Sequence, residues 1–155
     1  MNIQYVKGDA TNPQGDGNKI IVHICNDKGG WGKGFVVALS KKWSKPEKHY
    51  RQWYKSGEKF LLGEVQFVPV ESTITVANMI AQHDIQVLNG IPPIRYEAVR
   101  EGLKKVVTFS QQNNASVHMP RIGAGLAGGK WEIIEDIIRD ELTTRDIQVT
   151  VYDLL

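Results

Sequence analysis

Short apolar runs alternate along the chain with longer stretches in which apolar residues recur every three or four positions. The short runs predict strands, and the longer periodic stretches predict helices. The predicted strands cover residues 3–6, 20–25, 64–70, 73–80, 116–119 and 147–152. Helices are predicted to begin near Phe35, Ser44, Tyr96 and Trp131. This order, β-β-α-α-β-β-α-β-α-β, predicts an α/β domain of layered helices and strands.

The second predicted helix has the clearest boundary signals. Ser44, followed by Pro46 and Glu47, matches the pattern of a capping box with an early proline. Gly57 is predicted to end this helix. Three aromatic residues share one of its faces, and we expect them to pack in the core or cover it rather than stack on a ligand: Tyr50, Trp53 and Tyr54.

Composition indicates an ordinary soluble domain. The chain has 155 residues, of which 41% are hydrophobic and 23% charged, and its formal net charge is +2. Its length predicts one domain, residues 1–155, and the small net charge favours neither nucleic acid nor membrane as a partner. The single Cys25 excludes an internal disulfide, and its apolar surroundings predict an inert buried thiol. Without a signal-peptide pattern or an apolar run near the ~20 residues that span a bilayer, we expect a cytoplasmic protein.

Two glycine-rich segments directly follow predicted strands. Residues 29–34 come after the strand at 20–25, and residues 123–129 lie between the strand at 116–119 and a helix. Bare turns expose backbone N–H groups, and a helix N-terminus adds unpaired donors and positive charge. Open α/β sheets also bind ligands beyond the carboxyl ends of their strands. The segments therefore predict a phosphate site, with a glycine-rich connection that holds no ligand as the alternative.

Four polar side chains lie near these segments, and each has two interpretations. Asp9 follows the first strand and could accept a hydrogen bond from a ligand amine, or it could simply close a Gly-Asp turn. Asn26 suits sugar hydroxyls, or it caps the turn after its strand. Lys33 could neutralise a phosphate or be an ordinary surface lysine. Arg121 could reach a phosphate or pair with a surface carboxylate.

Three motifs together resemble the macrodomain family. They are Lys7-Gly8-Asp9, the run Val22-His23-Ile24-Cys25-Asn26 with Gly30-Trp31-Gly32-Lys33-Gly34, and Pro120-Arg121-Ile122-Gly123-Ala124-Gly125-Leu126. The similarity runs nearly end to end and includes the closing Val149-Thr150-Val151-Tyr152. It is greatest to the branch that holds an ADP-ribose 1″-phosphate phosphatase and a terminal ADP-ribose glycohydrolase. The resemblance implies a three-layer α/β/α fold with a mixed central sheet.

The resemblance also implies a cleft that binds ADP-ribose. Asp9 would accept a hydrogen bond from the adenine amine, Ala10 would offer a backbone contact nearby, and Leu154 would pack beside the adenine. Asn26 would contact the distal ribose. The first segment would line that ribose and its phosphate through Gly30, Trp31, Gly32, Lys33 and Gly34. The second would wrap the diphosphate, and its implied contacts are Arg121, Ile122, Gly123, Ala124, Gly125, Leu126 and Ala127.

The residues available for catalysis differ from those of the related glycohydrolase, which uses a lysine and an aspartate. Ala127 stands at the position of the aspartate, and residues 81–83 contain no lysine. The predicted catalytic residues are His23 and His83 for acid–base work and Asn26 for orienting the ribose. Asp27 could activate a water. His23 could instead be a core histidine, and His83 a surface residue.

Two functions remain open. The first is a hydrolase that removes a phosphate, an O-acyl group or a protein carboxylate from the distal ribose of an ADP-ribose derivative. The second is a binding module without turnover, suggested by the missing lysine and aspartate. Nucleic-acid binding through the lysine-rich residues 41–48 is less favoured, because a solvated helix face accounts for these charges. We expect no metal and no other cofactor, and the expected partners are an ADP-ribose derivative and an ADP-ribosylated protein.

Overall fold

One mixed six-stranded sheet forms the centre of the computed structural model, which describes residues 1–154. The strands are β1 (Gln4–Lys7), β2 (Asn18–Asn26), β3 (Val65–Glu71), β4 (Ile74–Gln82), β5 (Ala115–Met119) and β6 (Val149–Asp153). Their order across the sheet is β1-β6-β5-β2-β4-β3. Neighbouring strands run parallel except β3 and β4, which pair antiparallel.

Helices cover both faces of this sheet. The helices are α1 (Phe35–Lys42), α2 (Lys45–Ser56), α3 (Tyr96–Asn113) and α4 (Trp131–Glu141), and a short 3-10 helix (Thr143–Arg145) follows α4. Residues of α1 and α2 form one hydrophobic core with the sheet, and residues of α3 and α4 form the other. The predicted order of strands and helices and the three-layer α/β/α fold with a mixed sheet are confirmed.

The strand β2 is buried on both faces because it lies between β5 and β4 and under both helical layers. Ile20 and Val22 belong to the core under α3 and α4, whereas Ile21 and Cys25 belong to the core under α1 and α2. This position explains why the strand is a continuous apolar run. Burial raises the pKa of the Cys25 thiol, which is inert as predicted. The central position also brings the end of β2 to the middle of the sheet's carboxyl edge.

The helix α2 ends as predicted but does not begin as predicted. Gly57 adopts the left-handed conformation (φ 67°), and its N–H donates to the carbonyl of Trp53. The predicted capping box is wrong, because Ser44 has helical backbone angles and its side chain makes no capping hydrogen bond. Glu47 instead accepts a hydrogen bond from Arg51 Nε at 2.9 Å, so its carboxylate serves a contact within the helix.

The aromatic residues of α2 pack around Phe60. The ring centroids of Tyr50, Trp53 and Tyr54 lie 5.7, 5.1 and 5.3 Å from that of Phe60. Tyr50 is fully buried, while Tyr54 remains 46% exposed. The prediction that these rings serve the core and its cover is confirmed.

Candidate ligand-binding cleft

A cavity of about 660 Å³ opens at the carboxyl edge of the sheet, beyond the ends of β2, β4 and β5. Its volume is typical of sites for small molecules. Loop 1 (residues 29–34, between β2 and α1) and loop 2 (residues 120–129, between β5 and α4) form much of its wall. The predicted residues that line the cavity are His23, Asn26, Gly30, Trp31, Gly32, Lys33, Gly34, Arg121, Ile122, Gly123, Gly125, Leu126 and Ala127.

Asn26 holds loop 1 in place. Its Oδ1 accepts hydrogen bonds from the N–H of Lys28 (2.9 Å) and the N–H of Gly30 (3.0 Å), and its Nδ2 donates to the carbonyl of Gly30 at 2.9 Å. The hydroxyl of Tyr50 donates its one proton to the backbone carbonyl of Asn26 at 2.5 Å, and Oδ1 is a more distant second acceptor at 3.0 Å. The amide oxygen therefore has no lone pair left for a ribose hydroxyl. The capping interpretation is confirmed. The second proton of Nδ2 is the one group of the Asn26 amide left for a contact with the ribose or for a catalytic role.

Loop 2 is closed at its base and open at its tip. The N–H of Gly129 donates to the carbonyl of Gly123 at 2.7 Å. A Cβ on Gly123, where φ is +73°, would lie 2.7 Å from the side chain of Ile94, so only glycine fits there. A Cβ on Gly125 would meet nothing within 4 Å. The tip of the loop thus has free space beside it.

Unpaired backbone N–H groups border the cavity on both loops. Within residues 1–154, the amides of Gly125, Leu126 and Ala127 meet no protein acceptor. Gly34 is the N-cap of α1 and provides no side-chain cap. The amides of Phe35 and Val36 therefore meet no acceptor within residues 1–154, whereas the N–H of Val37 donates to the carbonyl of Gly34 at 3.1 Å. In the described part of the chain, the cavity wall contains no aspartate or glutamate. This combination of donors without a nearby anion suits a bound phosphate.

Arg121 lies in the wall of the cavity, but its guanidinium is paired with the carboxylate of Asp153. Its Nε and Nη2 donate to the two carboxylate oxygens of Asp153 at 2.6 and 3.0 Å. Its guanidinium also stacks on the rings of Tyr5 and Trp131, 5.1 and 5.2 Å from their centroids. The hydrogen bond with Arg121 lowers the pKa of Asp153. The alternative interpretation, pairing with a surface carboxylate, is confirmed, and the predicted phosphate contact stays a prediction.

The other two functional side chains of loop 1 have different environments. Trp31 is 6% exposed, and its Nε1 donates to Ser40 Oγ at 2.7 Å. Its ring therefore forms an apolar part of the wall, and its polar N–H is used inside the protein. Lys33 is exposed, and no carboxylate within residues 1–154 lies at ion-pair distance from it. Its charge remains free to attract an anion.

His23 is not placed for acid–base catalysis. Asn78 directs its Nδ2 to the carbonyl of Pro46 and to Gln66, so its Oδ1 faces His23 Nε2 at 2.5 Å. We therefore assign the proton to Nε2. His23 Nδ1 is shielded from solvent and has no hydrogen-bond partner within the described residues. Burial lowers the pKa of His23 to about 4, against a small opposite effect of the hydrogen bond with Asn78. The core interpretation of His23 is correct, and the structure gives no support to its predicted catalytic role.

His83 lies beside the cavity rather than in its wall. Its Nδ1 is 2.7 Å from Asp27 Oδ2, and its side chain is 42% exposed. Its neighbours Gln82 and Ile85 do line the cavity. The sequence left the direction of the Asp27 side chain open, and the structure shows that it contacts His83. A catalytic role of His83 stays a prediction.

Four predicted ligand contacts lie outside the cavity wall: Asp9, Ala10, Ala124 and Leu154. Asp9 Oδ1 accepts hydrogen bonds from the N–H and hydroxyl of Thr11, both at 2.8 Å, so the Gly-Asp turn interpretation is confirmed. Ala10 is buried, and Leu154 is 80% exposed. The adenine contacts of Asp9, Ala10 and Leu154 and the diphosphate contact of Ala124 stay predictions.

Several wall residues were not identified from the sequence. They are Ile24, Cys25, Phe35, Val36, Gln82, Ile85, Gln86 and Pro120. Gln82 is the last residue of β4, and the rule that ligands bind beyond strand ends could have found it. Ile85 and Gln86 follow in an irregular segment whose path no periodicity indicates.

Two further searches of residues 1–154 gave negative results. No three histidine, cysteine, aspartate or glutamate side chains lie close enough together to hold a metal ion in this part of the chain. No helix described for it has the length and apolar character needed to cross a membrane.

Comparisons with known proteins were made by sequence and by structure. The chain matches no protein-family model. It is 36% identical to the mouse (Mus musculus) chromodomain-helicase-DNA-binding protein 1-like over 97% of its own length and 18% of that protein. The chain thus spans less than a fifth of this curated relative. It is 30% identical to the ADP-ribose glycohydrolase OARD1 of Bos taurus over 98% of this chain and 91% of that one. With the ADP-ribose 1″-phosphate phosphatase of Lodderomyces elongisporus it shares 28% identity over 99% and 100% of the two chains.

Solved structures agree with these relatives. A Bacteroides thetaiotaomicron protein of unknown function superposes with a TM-score of 0.98 at 65% identity, over 100% of this chain and 99% of that one. A macrodomain protein from Streptomyces coelicolor superposes with a TM-score of 0.88 at 51% identity, over 98% and 99% of the two chains. The fold and the cavity define an α/β protein with a cleft of small-molecule size at the carboxyl edge of its sheet. The chain belongs to the macrodomain family.

Proposed function

We propose that the protein binds ADP-ribose derivatives in this cleft and hydrolyses a bond at their distal ribose. The observation that carries the proposal is the pair of glycine loops, whose unpaired amides border a cavity of about 660 Å³ without a lining carboxylate. Fixed N–H donors stabilise a diphosphate at no cost in side-chain entropy. Two of the reported relatives are named for activities on ADP-ribose compounds, which supports this choice of ligand.

The order of the strands supports one orientation of the ligand. Asp9 follows β1 at one edge of the sheet, loop 2 follows β5 in the middle, and Gln82 ends β4 on the other side of β2. An adenine near Asp9 and a diphosphate along loop 2 would bring the distal ribose to Asn26 and Gln82. Binding of the adenosine and diphosphate would then position the reacting bond beside β4.

A substrate panel tests this function. The protein is first titrated with ADP-ribose in a calorimeter, with AMP and ribose 5-phosphate as controls that each lack half of the ligand. It is then incubated with ADP-ribose 1″-phosphate, O-acetyl-ADP-ribose and a protein carrying ADP-ribose on a carboxylate. We expect tight binding of ADP-ribose alone and release of free ADP-ribose from at least one substrate. An absence of ADP-ribose binding would contradict the proposal as a whole.

The second candidate is a binding module for an ADP-ribosylated protein. It is favoured by Ala127, which stands in the cavity wall where the related glycohydrolase has an aspartate. The mouse relative, whose name denotes no ADP-ribose hydrolysis, is also more similar than the two relatives named as hydrolases. Tight binding of ADP-ribose without turnover of any substrate would decide for this candidate.

A further inference from the structure

An aspartate–histidine pair lies where β2 and β4 leave the sheet. Asp27 follows Asn26 at the end of β2, and His83 follows Gln82 at the end of β4. The two side chains meet at 2.7 Å between Asp27 Oδ2 and His83 Nδ1. Because Asn26 and Gln82 both line the cavity, the pair borders it on the side where the proposed function places the distal ribose.

The carboxylate of this pair is held rigidly. Asp27 Oδ1 accepts the N–H of Asp84 at 2.8 Å, and the backbone N–H of Asp27 donates to the carbonyl of Gln82 at 3.0 Å. Its side chain is only 16% exposed. Burial raises the pKa of Asp27, but the hydrogen bonds from Asp84 and His83 outweigh burial and lower it overall. Asp27 is therefore a fixed anion that turns the Nδ1–H of His83 towards itself and leaves a lone pair on Nε2.

The surroundings of the pair contain few other charges. Lys28 and Asp84, which are adjacent to the two members in sequence, contribute opposite signs. Tyr50 also lies near Asp27, and burial raises its pKa so that it stays neutral. The charged side chain in direct contact with the imidazole of His83 is therefore Asp27.

The other three histidines of the chain are not available for this role. His23 is shielded, as described above. His118 is buried, with Nδ1 2.7 Å from the Tyr152 hydroxyl and Nε2 2.7 Å from Ser116 Oγ. His49 belongs to α2 and does not line the cavity. His83 is the histidine that combines solvent access with a place beside the cavity.

We propose that His83 is the acid–base catalyst of hydrolysis at the distal ribose and that Asp27 is its positioning residue, an inference that rests on the proposed function. Nε2 of His83 takes a proton from a water, whose oxygen forms the new bond to the atom under attack. The bond to the leaving group breaks, and its electron pair stays on the leaving oxygen. The proton passes from His83 to solvent, so that the imidazole is neutral again.

The test compares His83→Gln and Asp27→Asn with the wild type on the substrate that the panel identifies. His49→Gln and Asp136→Asn serve as matched controls, because they make the same changes away from the cavity. We expect His83→Gln to lower kcat by about 100-fold or more while the Kd for ADP-ribose changes less than about twofold. Asp27→Asn presents an amide N–H to Nδ1 and favours the wrong tautomer, so kcat falls while the Kd for ADP-ribose changes less than about twofold.

A rescue experiment separates chemistry from packing. Added imidazole should restore part of the kcat of His83→Ala, whereas a merely structural role would give no rescue. If His83→Gln turns over substrate within about threefold of the wild type, the proposed catalytic role of the pair is wrong, but the proposed hydrolysis is not affected. An equal loss of kcat and of ADP-ribose affinity would also overturn that role, because the pair would then only hold the ligand. If the wild type binds ADP-ribose but turns over no substrate, hydrolysis itself fails and the pair's proton-transfer role fails with it.

Discussion

The side chain of Asn26 makes two hydrogen bonds with the backbone of Gly30. Its Oδ1 accepts from the N–H of Gly30 at 3.0 Å, and its Nδ2 donates to the carbonyl of Gly30 at 2.9 Å. A Cβ on residue 30 would lie 3.0 Å from Asn26 Nδ2, so the close contact between this side chain and the backbone also favours glycine at position 30. One amide at the end of the central strand thereby sets the conformation of loop 1 and of one side of the cavity.

Replacing Asn26 should loosen loop 1 and weaken ligand binding together. Asn26→Ala removes three hydrogen bonds from a nearly buried side chain to the backbone of Lys28 and Gly30. We expect a loss of about 1–3 kcal/mol in the free energy of unfolding and about tenfold weaker ADP-ribose binding. Urea denaturation and calorimetry measure the two effects. Asn18→Ala, at the other end of β2, is the control and should leave binding unchanged. Full affinity in Asn26→Ala would show that loop 1 does not contribute to the site.

Gly125→Val should block the cleft without unfolding the protein. A Cβ at this position meets open space, and its backbone does not need the left-handed region, so we expect an unchanged Tm. The added side chain occupies space beside unpaired amides of loop 2, and the affinity for ADP-ribose should fall at least tenfold. Gln112→Val, on the exposed surface of α3, provides the control. Undiminished affinity would place the diphosphate elsewhere.

Asp9→Asn tests the adenine contact while keeping the local turn. The asparagine oxygen can still accept from Thr11, but its NH₂ group repels an adenine amine. Loss of a hydrogen bond to a charged acceptor is worth about 1.5–3 kcal/mol, which corresponds to roughly 10- to 150-fold in Kd. Calorimetry should show this loss for ADP-ribose and no change for ribose 5-phosphate, which has no adenine. Equal Kd values for the variant and the wild type would show that Asp9 does not contact the adenine.

Folding stability should decrease below neutral pH because two histidines are buried in the neutral form. Burial lowers the pKa of His23 to about 4 and is also the main cause that lowers that of His118 to about 4. The unfolded chain, with histidine pKa values near ~6.5, then binds more protons than the folded protein. Stability is constant above about pH 7 and falls between ~6.5 and 4, with a slope approaching ~2.7 kcal/mol per pH unit for two protons.

Urea denaturation at several pH values measures this slope. His118→Gln should reduce it by about half. A stability that is flat from pH 7 to pH 5 would contradict the burial of both neutral imidazoles.

The fold followed from the sequence because its signals are local. Apolar periodicity predicted every strand and α-helix in the observed order, with boundaries that differ by a few residues, as in β2, which begins at Asn18 rather than Ile20. The 3-10 helix at Thr143–Arg145 was not predicted. The failed capping box shows the limit of such signals. The pattern of Ser44 and Glu47 was present, but Glu47 found a partner in Arg51 instead.

Part of the site was also predictable, because the glycine loops are local features of the sequence. Glycine loops are visible in a sequence, and most of their predicted residues line the cavity. The roles of single polar side chains depend on partners far along the chain. Arg121 pairs with Asp153 and His23 with Asn78, and no spacing rule reveals either contact. The pairing of Asp27 with His83 likewise requires knowing that β2 and β4 are neighbours.

The ion pair of Arg121 with Asp153 mechanically connects the end of β6 to the first turn of loop 2. Because Arg121 lies at the start of the loop whose amides border the cavity, this contact helps to fix the start of that loop relative to the last strand of the sheet.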